Sequence, residues 1–176
     1  MNFNPRKLFV IVGYPHAGKR KTAQQIFKRR LFFPFKQPIR TGYFKEEQFI
    51  IISSRQYVSE AYLARIKTLI ERHAASDTSF VITLNLSFGN TRWSMECLLD
   101  YFNRSGFDMH YLLLYNSMLS KKVISDRDRG LFEQQVVNGT VHLFDRLVAN
   151  SMLRLTERAT DVKEVMLKIL EKKGRY

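Results

Sequence analysis

Two glycines and a lysine near the N-terminus have the spacing of a phosphate-binding loop. Gly13, Gly18 and Lys19 match the pattern G-x-x-x-x-G-K within GYPHAGK. In such loops, successive backbone N–H groups and a helix N-terminus surround phosphate oxygens, while the lysine reaches the outer phosphates. The sequence therefore predicts binding of ATP, another nucleoside triphosphate or a polyphosphate. The residues expected to form this site are Gly13, His16, Ala17, Gly18, Lys19, Arg20 and Lys21.

Arg20 occupies the position at which this pattern normally has Ser or Thr. That hydroxyl is a ligand of Mg²⁺, so its absence makes bound Mg²⁺ doubtful and supports a phosphate site better than a catalytic one. Thr22 is a poor substitute, because two helical steps rotate it by roughly 200° from position 20. The alternative is a plain strand-to-helix turn with a solvated basic helix start. Cations at a helix N-terminus oppose the helix dipole unless an anion binds there, which favours the phosphate site.

The elements that must position this loop follow an α/β pattern. A strand is expected over residues 7–12 and a helix over residues 20–30. Later alternation of strand, helix and strand predicts a parallel sheet with right-handed crossovers. Ser59 and Thr160 are expected helix N-caps. The further expected strands cover residues 39–44, 48–53, 80–86, 110–115 and 152–155, and the further helices cover residues 59–74, 91–104, 141–150 and 160–172.

The length and composition predict one domain over residues 1–176. A chain of 176 residues with 45% apolar content is long enough for one full core. We expect a cytoplasmic protein without membrane contact, because the sequence has neither a long apolar run nor a signal-peptide pattern. Cys97 is the single cysteine, which fits a reducing compartment. His110 and His142 lack partners at metal-ligand spacing, so no metal site is predicted.

Positive charge is concentrated in the N-terminal quarter. The net charge is +13, and ten Lys and Arg residues lie between Arg6 and Arg40, before the first acidic residue, Glu46. Such a field attracts polyphosphates, nucleic acids or an acidic protein. Aromatic residues within 31–37 would suit base stacking beside these cations, although buried phenylalanines are the commoner explanation. A basic surface that only keeps the protein soluble is the remaining alternative.

The order of these features resembles the P-loop kinase superfamily. It is most similar to the polynucleotide kinase and zeta-toxin-like small kinases. GYPHAGK resembles their phosphate loop, with a degenerate Walker A motif, and the stretch beginning ITLNLSFGN resembles their strand, helix and following strand. The stretch MLRLTERATDVKEVMLKILEK resembles their terminal strand and helix. The resemblance implies a three-layer P-loop NTPase-like fold, with a mostly parallel central sheet flanked by helices.

The resemblance also implies roles for individual residues. Lys19 would hold the β- and γ-phosphates, and Asn85 would lie beside the substrate at the carboxyl edge of the sheet. Arg127 or Arg129 would be lid arginines that neutralise charge on the transferred phosphoryl group. Arg40, in the basic N-terminal quarter, is a second expected substrate-binding residue. The sequence departs from the family pattern at position 20 and also lacks the expected aspartates; isoleucine, for example, occupies position 82.

Two functions are consistent with these observations. The first is an ATP-dependent phosphotransferase of weak or no activity, acting on a nucleotide, a nucleic-acid end or another small acceptor. The second is a non-enzymatic P-loop-fold subunit that binds nucleic acid or a protein partner through its basic surface. The loop glycines and Lys19 favour the first function, and the missing hydroxyl and aspartates favour the second.

Overall fold

The centre of the protein is a six-stranded sheet. The computed structural model describes residues 5–30, 37–45, 47–53, 58–89 and 94–172. In chain order the strands are β1 (Lys7–Gly13), β2 (Ile39–Arg40), β3 (Gln48–Ile52), β4 (Ser79–Asn85), β5 (Asp108–Leu114) and β6 (Thr140–Phe144). They lie in the order β2-β3-β4-β1-β5-β6, and all neighbours are parallel except β2 and β3. The predicted α/β class with a mostly parallel sheet is confirmed.

Helices connect the parallel strands. In chain order they are α1 (Lys19–Phe27), α2 (Glu60–Arg72), α3 (Met95–Asn103), α4 (Asp126–Gln135) and α5 (Met152–Glu171), with a short 3-10 turn at Gly42–Phe44. Ser59 caps α2 as predicted, since its Oγ accepts a hydrogen bond from the Tyr62 backbone N–H at 3.1 Å. None of the described helices is long and apolar enough to cross a membrane.

The helices form a layer on each face of the sheet. Leu8, Val10 and Val12 of β1 belong to the core under α2, α3 and α4, whereas Phe9 and Ile11 belong to the core under α1 and α5. The crossover from β1 to β3 runs in one direction over the α1 face. The crossovers into β4, β5 and β6 run in the opposite direction over the other face. All these crossovers therefore have the same hand, as the right-handed rule requires.

The interpretation of residues 141–155 is wrong. Residues 140–144 form the edge strand β6, where a helix was expected, and residues 152–155 form the first turn of α5, where a strand was expected. Ser151 caps α5 by accepting from the Arg154 backbone N–H at 3.3 Å. Thr160 is not a cap but an interior residue of α5, and its hydroxyl donates to the Thr156 carbonyl at 3.0 Å.

Of the strand expected over residues 39–44, only Ile39–Arg40 is present, and Gly42–Phe44 form a 3-10 turn instead. The remaining predicted elements agree with the structure except at their ends. The strands near positions 7–12, 48–53, 80–86 and 110–115 are present within two residues of the expected bounds. The first helix ends at Phe27, and Lys28 follows it in the left-handed region with a φ of 53°. The third helix begins at Met95; residues 91–93 of the prediction lie outside the described residues, as do residues 31–36 of the aromatic stretch.

A polar cluster lies at the amino end of β1 and β5, away from the 13–19 loop. Lys7, which is buried, forms an ion pair with Asp108, and the Asp108 carboxylate lies 3.1 Å from His110 Nε2. His110 Nδ1 lies 3.3 Å from His142 Nε2, and its ring stacks on Phe9. Burial lowers the pKa of both histidines. Burial alone would raise the pKa of Asp108, but hydrogen bonding from Lys7 lowers it below its usual value.

We expect acid to destabilise the protein through this histidine pair. Because the pKa of each imidazole is lower in the folded chain, the unfolded chain binds more protons as the pH falls through 6.5. The stability present above that pH is therefore lost below it. Thermal unfolding between pH 7.5 and pH 5 measures the loss, which His110→Phe should reduce. An identical pH dependence in wild type and His110→Phe would contradict this account.

Candidate functional site

The 13–19 loop leaves the carboxyl end of β1 and enters the first turn of α1. It is a tight turn: the Ala17 backbone N–H donates to the Tyr14 carbonyl at 3.0 Å, and the Thr22 N–H donates to the Gly18 carbonyl at 2.8 Å. His16 and Gly18 both have positive φ values, of 65° and 83°. The loop therefore has the glycine-dependent backbone that its sequence predicts, and it ends at a helix N-terminus, where anions are favoured.

Close packing explains both loop glycines. A Cβ at Gly13 would lie 2.8 Å from the Ala17 Cβ and 3.2 Å from the Leu114 carbonyl oxygen. A Cβ at Gly18 would lie 3.1 Å from the Met118 sulfur and 3.2 Å from an amino group of Arg158. The loop is thus confined between the end of β5 and helix α5.

Lys19 folds back over the loop. Its Nζ donates to the Gly13 carbonyl at 3.0 Å and to the Tyr14 carbonyl at 2.8 Å, and the residue is only 7% exposed. Both carbonyls also accept a backbone N–H, from Leu86 and from Ala17 respectively, so neither depends on the lysine. Burial, with a smaller effect of the nearby Arg158 charge, lowers the pKa of Lys19 to about 7. The amino group is therefore held at the loop in a state close to losing its proton.

Arg158 of α5 supplies a second buried cation behind the loop. The residue is fully buried, and its guanidinium donates to the Ala17 carbonyl and, at 3.0 Å, to the Asn116 carbonyl. Burial lowers the pKa of Arg158 to about 10, which leaves it charged at neutral pH. The loop therefore has a buried charged arginine and a buried lysine that gains its charge as the pH falls through about 7, and no carboxylate of the described residues forms an ion pair with either.

Polar atoms without a partner lie in the same region. Arg20 Nε, Thr22 Oγ1 and Arg158 Nε are buried and form no hydrogen bond with any described residue. Thr22 is fully buried within α1, so its hydroxyl cannot take the place of the one missing at position 20. Buried polar atoms without partners are uncommon and often indicate a bound ion or water.

Tyr14 connects the loop to the start of α4. Its hydroxyl donates to the Asp128 carboxylate and accepts from the Ser125 backbone N–H at 3.3 Å. Ser125 is also the N-cap of α4, since its Oγ accepts from the Asp128 N–H at 3.1 Å. Lys122 lies over the Tyr14 ring, with its Nζ 5.1 Å from the ring centroid. The segment that carries the predicted lid arginines is thus held against the 13–19 loop.

The structure brings some of the predicted site residues together. Asn85 ends β4 directly opposite Gly13, at the carboxyl edge of the sheet, as expected. Arg20 and Lys21 lie in the first turn of α1, where Lys21 is exposed. Arg127 and Arg129 lie in the first turn of α4, next to the Tyr14 contact. Arg127 is exposed, and Arg129 forms an ion pair with Glu133 at 2.9 Å.

Arg40 is not near the loop. It lies in β2 opposite Gln48, at the amino end of β3, roughly 20 Å from Gly13 along the strands. Arg6 and Lys7 are also at that edge, where Arg6 donates to the His73 carbonyl and lies over the Phe107 ring. The basic residues are therefore divided between the two ends of the strands. Helix α1 starts at the carboxyl end of β1 and leads the chain back toward the amino end.

Arg158 is the buried residue of the candidate site that the sequence interpretation missed. Leu155, Arg158, Ala159 and Val162 follow the spacing of one helix face, and all of them are buried. A charged residue within such an apolar stripe indicates a buried cation that needs a partner. That signal was present in the sequence, but the assignment of residues 152–155 to a strand concealed it.

No family model matches this chain, and no curated protein matches it either. The function of the site is therefore inferred from its geometry and charge.

We expect Gly18→Ala to destabilise the protein by about 1–2 kcal/mol, because a side chain at positive φ is strained. The added methyl group would also be crowded against Met118 and Arg158. Gly130→Ala is the matched control: it lies within α4 with open space around it, and alanine there should stabilise by about 0.5–1 kcal/mol. Urea unfolding of the three proteins measures both changes. Equal effects at the two positions would contradict the described loop conformation.

Proposed function

We propose that this chain binds a nucleoside triphosphate through its polyphosphate at the 13–19 loop. The observation that carries the proposal is the pair of buried cations, Lys19 and Arg158, without a carboxylate partner among the described residues. Burying an unpaired charge costs several kcal/mol unless an opposite charge compensates it. A bound polyphosphate anion provides that compensation.

The surroundings of the loop support the same ligand. A helix N-terminus and a glycine turn both offer backbone N–H groups to an anion. In open parallel sheets, ligands bind beyond the carboxyl ends of the strands, and the loop and Asn85 both lie there. Beside the resemblance of GYPHAGK to the small P-loop kinases, this favours ATP as the nucleotide and a P-loop NTPase-like fold.

Phosphotransferase activity, if present, is expected to be weak. Phosphoryl transfer depends on metal ions that bridge the phosphates and on a residue that activates the acceptor. Position 20 lacks the metal-binding hydroxyl, and the sequence also lacks the aspartates that the resemblance implies. The proposed function is therefore nucleotide binding in a kinase-like site of low or no turnover.

The alternative, a basic surface for nucleic acid, has less support from the geometry. Lys7 is paired with Asp108, Arg6 is bound to a backbone carbonyl, and Lys19 is buried in the loop. These cations point to different parts of the molecule and do not form one continuous surface. A nucleic-acid end as the phosphoryl acceptor remains part of the kinase hypothesis.

Calorimetric titration with ATP tests the proposal. We expect wild type to bind and Lys19→Ala to bind about tenfold or more weakly, since a hydrogen bond to a charged group contributes about 1.5–3 kcal/mol. Lys168→Ala, at an exposed position near the end of α5, removes the same charge away from the loop and should bind as wild type does. Equal affinity of wild type and Lys19→Ala, with both folded by circular dichroism, would refute the proposal.

A further inference from the structure

We propose that the 13–19 loop binds its polyphosphate as the metal-free anion, with the Arg20 guanidinium in the place that Mg²⁺ occupies in related loops. The inference rests on the proposed function, and it names the form of the ligand that this site selects.

Arg20 is placed for this role by the start of α1. It is the second residue of the helix and directly follows Lys19, so it lies in the turn of α1 that the loop enters. Its Nε is buried, and the guanidinium has no hydrogen bond or ion pair to any described residue. An arginine has five N–H donors in a fixed plane that matches phosphate oxygens. A partner of that chemistry would satisfy the buried donor.

The charge of the site fits a metal-free polyphosphate better than its Mg²⁺ complex. Lys19 and Arg158 donate hydrogen bonds to the loop, and Arg20 follows Lys19 in the first turn of α1, so the site combines three basic residues. A polyphosphate chain without Mg²⁺ carries two more negative charges than the same chain with the ion bound. Adding Mg²⁺ would therefore place a further double positive charge beside three cations that have no described carboxylate partner.

The described residues contain no cluster of three or more His, Cys, Asp or Glu side chains that could hold a metal ion. Mg²⁺ is held through carboxylate or hydroxyl oxygens and waters. The Thr22 hydroxyl is fully buried within α1, and the nearest carboxylate that the described hydrogen bonds connect to the loop, Asp128, accepts the Tyr14 hydroxyl. Asp128 is thus the residue that would hold a metal if one were required. That possibility is an outcome of the test below.

The consequence for turnover follows from the chemistry of the guanidinium. It donates hydrogen bonds to phosphate oxygens, but it carries one positive charge where Mg²⁺ carries two and does not coordinate those oxygens directly. We therefore expect binding without phosphate release. This makes the protein a polyphosphate or nucleotide receptor built on a kinase-like loop.

The test is a titration of the full chain with ATP and with inorganic triphosphate, each in excess Mg²⁺ and in excess EDTA. We expect wild type to bind at least as tightly in EDTA as in Mg²⁺. Arg20→Ser should bind about tenfold more weakly in EDTA and recover part of its affinity with Mg²⁺, whereas Arg20→Lys should remain metal-independent but weaker. If triphosphate binds more tightly than ATP, the ligand is the phosphate chain itself; if ATP binds more tightly, the ligand is a nucleotide. Either result, when obtained in EDTA, supports the inference.

Other outcomes distinguish metal-free binding from the proposed nucleotide binding itself. Binding by wild type only with Mg²⁺ would overturn the metal-free inference while leaving the proposed function intact. Loss of that binding in Asp128→Asn would then assign the metal to Asp128. No binding of either ligand under any condition would refute the proposed function itself. A phosphate-release assay on the same samples should give no signal above background, and brisk Mg²⁺-dependent release would also overturn the inference.

Discussion

Uncompensated positive charge beneath the 13–19 loop is the constraint on which the rest of the structure depends. The Arg158 guanidinium donates at once to the loop, at Ala17, and to the segment after β5, at Asn116. Because the guanidinium is planar and its donors are fixed, Arg158 holds the loop and the end of the sheet at set distances from α5. Met118 adds a backbone bond to the His16 carbonyl and completes the enclosure. The loop is held in shape by a buried charge, and burying that charge costs free energy.

Lys19 adds a second free-energy cost at the same loop. Its pKa of about 7 lies far below the usual lysine value of 10.5, because burial disfavours the charged form and Arg158 repels it. The folded chain therefore binds fewer protons than the unfolded chain between these two pH values, and the stability contributed by this site rises with pH across that window. At lower pH the protein retains an unfavourable buried charge. Such a cost at one loop is typical of a functional site that trades stability for ligand affinity.

The sequence predicted the parts of this fold that depend on local signals. The strand, glycine loop and helix at residues 7–27 were predictable because glycine spacing and an apolar run are local, and Ser59 marked the start of α2 for the same reason. The edge strand β6 was missed because only Phe144 among its five residues is buried, so TVHLF lacks a strong apolar pattern. The apolar residues at 152–155 resembled a strand, but the Ser151 cap and the long stripe through Leu170 favour a helix. The position of Arg40 relative to the loop could not be predicted, because it depends on how α1 crosses the sheet, and that is decided by tertiary packing.

The proposed function requires Lys19 to bind an anion, although its burial disfavours the charged form of the amino group. Calorimetry of triphosphate binding at pH 8, in buffers of different ionisation enthalpy, tests it most directly. A bound anion favours the charged amino group, so binding should raise the pKa of Lys19 above its free value of about 7. The account predicts uptake of a large fraction of one proton per bound ligand in wild type, and none in Lys19→Met. Binding heats that are the same in all buffers, or binding that does not differ between wild type and Lys19→Met, would contradict it.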